Sequence, residues 1–438
     1  MKNKIKIDNF IKLKYLLPLF LICWLPFYIF FLPGLFDNDL TDIYKMVLGN
    51  TTYNNSFRYT ALNDHHTLIY PFFYWIFITP IKALGGSDNF VLSVVCFVQL
   101  AIVALCLSYA VISFHIIFNN KIATLLCLLF FLLNPLIIQY SLSHWKDTLF
   151  GALVLILIIE LIKEKPNLFL MIPLLILVSF LRKNGILISL VLIIIFIIKD
   201  KKLRKYFIIC GIAIVICFIG KSILPIQHAH FSEAIAIPIQ QVAYTAKYAD
   251  LGEDKEFFDS IIPSEEVVKV YKSNTPDPIK FSPKFNDEFL ESHKGEFLKN
   301  YIKLGIAHPR EYFQAWADET CAFWMITETD TWYTLDDESG QNNLKKILDY
   351  GISHKNPIYN SGVLILLIIL AFIFCKKRRL CFVPLLLLYL SLLLSAPAND
   401  FRYVYPLHLA LPFVIMFLYD RVKSHITKVS DLKKSEVE

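Results

Sequence analysis

Long apolar runs, separated by short polar stretches, occupy most of this chain. Residues 15–36 and 185–198 are two examples, and neither contains an aspartate, glutamate, lysine or arginine. A bilayer core about 30 Å thick is crossed by roughly 20 apolar residues in a helix, and a helix satisfies its backbone hydrogen bonds internally. The pattern therefore predicts an all-α polytopic membrane protein.

Ten of the runs predict membrane-spanning helices, and the shorter ones reach spanning length only with their polar flanks. Residues 67–84 form a further apolar run, which contains Pro71, Pro80 and Lys82. We interpret that run as a helix half-embedded in the outer leaflet, and a true span is the alternative. The ten predicted spans are 15–36, 90–118, 121–140, 148–162, 167–181, 185–198, 206–224, 358–375, 380–396 and 402–419.

Clusters of lysine and arginine between the runs predict the topology, because such clusters collect in cytoplasmic loops. We place both termini on the cytoplasmic side of the cell membrane. Residues 225–357 then form a long extracytoplasmic segment, whose apolar residues recur at helical spacing. The predicted parts are an N-terminal transmembrane module (1–224), this helical segment (225–357), C-terminal transmembrane helices (358–420) and a cytoplasmic tail (421–438).

Composition supports this interpretation. The chain is 56% hydrophobic and only 18% charged, whereas an ordinary globular domain has about 25% charged residues. The net charge of +6 lies in short clusters that flank the apolar runs, so we expect no nucleic-acid partner. Eight of the nine cysteines lie in or beside apolar runs, and Cys321 lies in the long polar segment. A disulfide framework outside the membrane is therefore not expected.

Unusual polar residues gather in the loops that this topology places outside. Burying ionisable groups at a membrane boundary is costly, so such groups are functional candidates. The acids could act as a general base or hold a divalent metal, and the cations could bind a phosphate. The candidates are Asp37, Asp39, His65, His66, Lys146, Asp147, Arg182, Lys183 and Arg402.

Several of these residues also have an ordinary structural explanation. Arg182 and Lys183 could extend from a helix end toward the headgroups, although an outward basic pair runs against the usual inside bias. The acids near Asp39 could favour a solvated helix start, and Asp147 could cap the next helix. His65 and His66 are adjacent and diverge on a helix, which argues against two-ligand metal binding.

The same loops carry a resemblance to a known family. The motifs occur, in order, at residues 33–39, 63–70, 134–150 and 181–185, followed by Arg402-Tyr403. They resemble a family of uncharacterised bacterial multi-pass proteins allied to the GT-C-fold glycosyltransferases that use lipid-phosphate sugars. Dolichyl-phosphate-mannose and aminoarabinose transferases are relatives of that kind. The resemblance covers about residues 15–225 and the last helix, and it covers none of 225–357.

The resemblance implies roles for individual residues. Asp39 matches the acid of the first outer loop, with Asp37 as its rival, and Asp147 matches the second-loop acid. Arg182 and Lys183 match the basic position thought to meet the lipid phosphate. The chain has His-His-Thr at 65–67, where relatives usually have a proline after the basic or histidine position, so the acceptor is not carried over.

The function expected from these observations is transfer of a sugar from a polyprenyl-phosphate donor at the outer membrane face. The acceptor would be an envelope glycan, lipid or protein. We leave open whether a divalent metal such as Mg²⁺ or Mn²⁺, held by Asp39 or Asp147, takes part. Three alternatives remain, namely an O-antigen-type or capsule polymerase, a transporter or flippase of lipid-linked glycans, and a non-catalytic scaffold.

Overall fold

The fold is described from a computed structural model of the full chain. It describes residues 10–36, 38–48, 63–163, 166–221, 223–224, 226–327, 329, 331–333, 335, 343–353 and 355–435. Within these ranges the side chains of residues 38, 39, 41, 42 and 428–435 are not described. Across the described residues the structure is all-helical, with isolated β-bridges and no strands.

Every apolar run predicted from the sequence coincides with helix. The first ten helices are α1 (Leu13–Phe30), α2 (Asn38–Val47), α3 (Ile69–Ala83), α4 (Asp88–Phe118), α5 (Lys121–Leu133), α6 (Pro135–Ser141), α7 (Lys146–Ile162), α8 (Leu168–Leu181), α9 (Lys183–Lys199) and α10 (Arg204–Lys221). The long polar segment contains α11 (Ala236–Tyr248), α12 (Lys255–Ile261), α13 (Ser264–Val270), α14 (Asp277–Lys280), α15 (Asp287–Ser292), α16 (Lys294–Ala307), α17 (Pro309–Trp324) and α18 (Asn343–Asp349). The chain ends with α19 (Ser361–Phe374), α20 (Arg379–Ser395) and α21 (Tyr405–Ser435).

Four stretches of helix in the described chain are long and apolar enough to cross a membrane. They lie at Leu13–Phe30, Asp88–Phe118, Lys376–Ser395 and Phe401–Thr427, and the bent pair α5–α6 makes a fifth if it is one span. The sequence predicted ten spans, and that count is not confirmed. Two further apolar helices, α8 and α19 with 14 residues each, are shorter than a bilayer requires. Helix α3 is also not among the candidate spans.

The run predicted as one helix at 121–140 is broken at Asn134. Its two halves, α5 and α6, meet at an angle of 52°. Proline disfavours the helical conformation at the preceding residue, and Asn134 is accordingly extended, with φ −68° and ψ 118°. The Asn134 side chain accepts hydrogen bonds from the amides of Leu136 and Ile137 and so begins α6 as its N-cap.

The described side chains form two hydrophobic cores. The larger core joins the membrane helices, and it also includes Phe323, Tyr333 and Leu348 from the long polar segment. The smaller core runs from Ile235 to Tyr312 and belongs to that segment alone. The first part of the polar segment is therefore a small helical unit with its own core, whereas its last part packs on the membrane helices.

One end of the helical bundle gathers the polar loops, and we call it the site end. The Leu35 amide after α1 donates to the Leu142 carbonyl after α6, at 2.9 Å. The start of α7 pairs with the α8–α9 junction through Asp147 and Arg182. The opposite end contains the α19–α20 turn, where Arg378 donates to the carbonyl of Ile162 at the end of α7.

Candidate functional site

A buried ion pair forms the centre of the site end. Asp147 lies in the first turn of α7, is 2% exposed, and pairs with the Arg182 guanidinium. Arg182 is the extended residue between α8 and α9. Its guanidinium carbon lies 4.8 Å from the ring centroid of Tyr403 and 5.7 Å from that of Phe150. The carboxylate and two aromatic faces thus compensate a positive charge that has left bulk water.

A second arginine lies on the same tyrosine. The guanidinium carbon of Arg402 is 5.2 Å from the Tyr403 ring centroid and 4.9 Å from that of Trp145. Arg402 Nε lies 2.9 Å from Asp400 Oδ2. The two guanidinium groups, which we call the arginine pair, therefore share one ring and are each oriented by one carboxylate. Guanidinium groups held in this way present planar sets of N–H donors, the geometry that suits phosphate oxygens.

Three lysines continue the positive region, and we call them the lysine group (Lys146, Lys183 and Lys221). Lys146 Nζ lies 3.1 Å from His66 Nδ1, and Lys221 Nζ lies 2.7 Å from Asp64 Oδ2. Lys183, next to Arg182 in sequence, lies in the electrostatic field of both other lysines and of Asp64. The site end therefore brings together cations from α7, α9 and α10.

Asp64 balances part of this charge. Burial alone raises the pKa of its carboxyl, but Lys221, the Ala229 amide and His228 outweigh burial and hold the pKa below its usual value. The Ala229 amide donates to Asp64 Oδ1 at 2.6 Å, and His228 Nδ1 lies 3.3 Å from Oδ2. Among the described side chains, the arginine pair and Lys221 are matched by the carboxylates Asp64, Asp147 and Asp400, and Glu233 also lies in the field of Lys183.

Buried polar atoms without partners lie beside the arginine pair. The Tyr140 ring is 5.1 Å from Trp145 and 4.9 Å from Tyr405, and its hydroxyl is in the field of Asp147, Asp400 and Arg402. Leaving such a group unbonded costs about 1–3 kcal/mol. Unpartnered atoms among the described, almost fully buried side chains of this region are Gln139 Oε1, Tyr140 Oη, Asn399 Oδ1 and Tyr405 Oη.

Loop 142–145 is fixed from several sides, which positions Lys146 and Asp147. Gln99 of α4 donates to the Ser143 carbonyl at 2.5 Å, and its own side-chain oxygen accepts from the Tyr70 hydroxyl at 2.9 Å. His144 lies 2.6 Å from the Tyr74 hydroxyl and 3.1 Å from the Pro33 carbonyl. Burial lowers the pKa of His144 to about 4, against the opposing effect of that carbonyl. His144 is therefore a neutral structural residue rather than a proton carrier.

A glycine sets the path of the chain around Arg182. A Cβ at Gly185 would overlap the Val178 carbonyl of α8 and lie 3.1 Å from the Phe150 ring of α7. Only a residue without a side chain allows α8 and α9 to approach this closely. The Thr67 hydroxyl also donates to the Leu181 carbonyl at 2.8 Å. The loop that contains the two histidines is thereby held against the α8–α9 junction.

The structure brings most of the sequence-predicted residues together. Asp147 pairs with Arg182, Lys146 contacts His66, and Arg402 shares Tyr403 with Arg182. The His65 ring packs edge-on against His66, with 4.8 Å between centroids. His65, His66, Lys146, Asp147, Arg182, Lys183 and Arg402 all lie at the site end.

The structure describes the two first-loop acids, Asp37 and Asp39, only in part. Asp37 lies outside the described residues, and Asp39 lies in α2, where its side chain is not described. Leu35, just before α2, is bonded to Leu142. Four residues span at most about 14 Å, so the backbone of Asp39 lies near the loop that precedes Asp147. Among the described residues, no three His, Cys, Asp or Glu side chains form a candidate metal site.

Sequence reasoning missed several members of the site. Asp64 and Tyr403 lie inside the motifs, and Asp400 lies two residues before the last motif, but none of the three is predicted as a site residue. Lys221 falls inside the predicted span 206–224. A cation at the outward end of a predicted span breaks the inside bias, which was a usable signal for Lys221. Nothing in the local pattern marks Tyr140, because its role depends on helices distant in sequence.

The comparisons with known proteins identify a family and no function. The chain belongs to the family described as "Family of unknown function (DUF6020)", whose model matches residues 6–356. No curated protein and no solved structure matches the chain.

Proposed function

We propose that this DUF6020 member is a membrane glycosyltransferase that moves a sugar from a polyprenyl-phosphate donor to an envelope acceptor at the outer face. The observation that carries the proposal is the arginine pair on Tyr403, together with Lys183 next to Arg182 in sequence and the unpartnered hydroxyl of Tyr140 in the field of Arg402. One side of such a site suits a phosphate, and the other suits a ligand with many hydroxyl groups.

The cations of the site end suit the phosphate of the donor. In sugar transfer from a lipid phosphate, the bond between the anomeric carbon and the phosphate oxygen breaks, and negative charge grows on the departing phosphate. Preorganised cations that face this oxygen stabilise the transition state. Arg182 is already oriented by Asp147 and by the Tyr403 ring. Asp147 is therefore proposed to position Arg182 rather than to act as the base.

Aromatic rings and unpartnered polar atoms near the arginine pair suit the sugar of the donor. The Tyr140 ring packs against both Trp145 and Tyr405, with ring centroids 5.1 and 4.9 Å apart. The unpartnered hydroxyls of Tyr140 and Tyr405 and the Asn399 side-chain oxygen offer hydrogen-bond partners. A hydroxyl-rich ligand would satisfy groups that otherwise remain buried and unbonded.

Asp39 is the proposed general base. It would take the proton of the acceptor hydroxyl while that oxygen attacks the anomeric carbon and the lipid phosphate departs, so a single displacement inverts the anomeric centre. Asp39 follows Leu35 by four residues, and the bond from Leu35 to Leu142 supports this assignment. Should Mg²⁺ or Mn²⁺ take part, Asp39 would be the residue to hold it, because Asp147 is engaged by Arg182.

A GT-C-like architecture with ten spans belongs to the same proposal. It requires short helices such as α8 and α19 to cross together with their polar flanks or through a locally thinner bilayer. Polyprenyl-phosphate donors are membrane lipids, so a site at the bundle end lies at the level of their headgroups.

The distribution of arginine favours this function over a polysaccharide polymerase. A polymerase of the O-antigen type would place its key arginines mainly in its long outer loops. Here the segment 225–357 contains one arginine, Arg310, and it is exposed. The site arginines instead lie at the ends of membrane helices.

The proposal is tested by donor turnover. The full-length protein is purified in nanodiscs and supplied with a panel of polyprenyl-phosphate sugars, and sugar release is measured for wild type, Asp39→Asn and Asp250→Asn. Asp250 is a matched control, since it is an exposed aspartate after α11 that accepts from the Gly252 amide at 3.1 Å. We expect Asp39→Asn to lose at least about 100-fold in rate, because a base contributes about 10²–10⁴-fold. Equal turnover by wild type and Asp39→Asn would exclude Asp39 as the base.

A further inference from the structure

An exposed apolar stripe runs along α16 of the extracytoplasmic segment. Leu298, Ile302 and Ile306 are 43%, 59% and 77% exposed, and their four-residue spacing puts them on one face of the helix. The opposite face is already used, because Phe297 and Leu304 are buried in the smaller core. Apolar side chains contiguous along a helix face, rather than scattered, mark an interaction surface.

Helix α17 shows where this stripe lies relative to the membrane helices. Trp316 Nε1 donates to the Leu393 carbonyl in the last turn of α20, at 2.7 Å. The end of α17 meets the first turn of α19, where a Cβ at Gly362 would lie 2.5 Å from the Met325 carbonyl. Trp316 and Trp324 are separated by about 12 Å along the helix, close to the spacing of neighbouring helices.

The second half of α17 therefore lies across the ends of α19 and α20 rather than pointing away from them. This orientation puts α17 near the level at which α20 leaves the membrane. Trp324 is 40% exposed, and tryptophan is enriched at that interfacial level.

The apolar surface of α20 continues onto the α16–α17 hairpin. Leu390 and Leu394, in the last turns of α20, are 49% and 68% exposed. Phe313 is 64% exposed, and its ring centroid lies 5.6 Å from that of Trp316. Helix α16 packs beside the start of α17, where the Tyr312 hydroxyl donates to the Tyr301 carbonyl at 2.9 Å. The exposed residues thus extend outward from a membrane-facing helix end.

We propose that α16 and the first half of α17 lie in the outer headgroup region of the bilayer, with the apolar stripe and Phe313 in contact with phospholipid chains. Lys299 and Arg310 are exposed beside the stripe, where they suit lipid phosphates. This contact holds the extracytoplasmic segment down on the membrane. It is independent of the chemistry proposed for the site end.

The test measures whether the stripe is in contact with lipid chains or with water. Ile302→Cys is made in the full-length chain together with Cys217→Ser, since Cys217 is the exposed cysteine. The new thiol carries an NBD fluorophore, and the protein is placed in phosphatidylcholine and phosphatidylglycerol nanodiscs. Quenching is compared between lipids with a shallow doxyl group and aqueous iodide. Ser260→Cys, an exposed polar position on α12, is the matched control, and unlabelled background is measured with Cys217→Ser alone.

We expect doxyl lipid to quench the label at 302 at least threefold more than the label at 260, and iodide to show the reverse order. Strong iodide quenching at 302 without doxyl quenching would overturn the proposal, because the stripe would face water. Protection from both quenchers would also overturn it, since a protein partner or a second copy would then cover the stripe. Phe313→Cys repeats the measurement at a second position, and both positions must agree.

Discussion

At the scale of single residues, the site end shows how a membrane protein keeps charges where water is scarce. Arg182 lies between a carboxylate and two aromatic rings, and Arg402 lies between a carboxylate and two rings. In contrast, Glu319 of α17 is fully buried, and neither of its carboxylate oxygens has a hydrogen-bond partner. The two arginines are compensated by a neighbouring carboxylate, whereas burial favours the neutral form of Glu319.

Glu319 gives a stability prediction that depends on pH. Burial raises the pKa of its carboxyl well above 4.5, against the nearby Lys280 ammonium and with a contribution from Asp277. The folded state therefore retains a proton that the unfolded chain loses. The stabilisation is full below pH 4.5 and is lost as the pH rises toward the raised pKa of the folded state.

We expect Glu319→Gln to remove this loss. Its thermal midpoint in detergent should match wild type near pH 4 and exceed it near pH 8, since the neutral amide of glutamine has no proton to lose as the pH rises. Asp318→Asn is the control, because Asp318 is only half-buried and bonds Gln314. A difference between wild type and Glu319→Gln that does not change with pH would contradict the assignment.

At the scale of helices, the sequence predicted where helices lie better than where they break. Each predicted span coincides with helix, because apolar runs without charges leave few other ways to satisfy the backbone in a membrane. The break at Asn134 was not expected, although Pro135 marked it. Whether a proline kinks a helix or ends it depends on what satisfies the freed groups. Here the Asn134 side chain does so, and it also donates to His408 of α21 at 3.0 Å.

Asn134→Ala should destabilise the protein more than the matched cap substitution Asn120→Ala. Both asparagines cap a helix, and Asn120 accepts from the Ala123 amide at 3.0 Å. Each substitution therefore lowers the free energy of unfolding by about 1 kcal/mol. Asn134→Ala also leaves buried His408 without that bond, at a further cost of about 1–3 kcal/mol. Thermal midpoints in detergent would show a larger drop for Asn134→Ala. Equal drops would mean that the α6–α21 contact contributes nothing.

The sequence predicts the ionisable residues of the candidate site but not its aromatic residues, for a physical reason. Ionisable residues such as Asp147 and Arg182 stand out between apolar runs, and the topology rule places them on one side. Residues of opposite charge on one side are expected to pair, and Asp147 and Arg182 form an ion pair in the structure. The ring of Tyr403 between the two arginines, and the unpartnered hydroxyls of Tyr140 and Tyr405, depend on the packing of distant helices. No periodicity encodes that packing.

At the scale of the whole molecule, the two ends of the bundle differ in how their charged residues are arranged. Among the described side chains, the site end gathers five cations, the carboxylates of Asp64, Asp147 and Asp400, and unpartnered polar atoms. The opposite end uses its charges to tie helices together. There Glu160 binds Lys163 at 2.5 Å and the Asn167 amide at 2.9 Å. We propose that the first arrangement binds a lipid-linked phosphate.

Equilibrium binding of polyprenyl phosphate to the full-length protein in nanodiscs tests that claim most directly. Native mass spectrometry would compare wild type with Arg182→Gln and with Arg204→Gln, whose arginine lies at the start of α10, the end opposite Lys221. The account predicts one bound lipid phosphate in wild type and in Arg204→Gln, and at least about tenfold weaker binding in Arg182→Gln, since a charge-assisted hydrogen bond contributes about 1.5–3 kcal/mol. Equal affinity in all three proteins would contradict it.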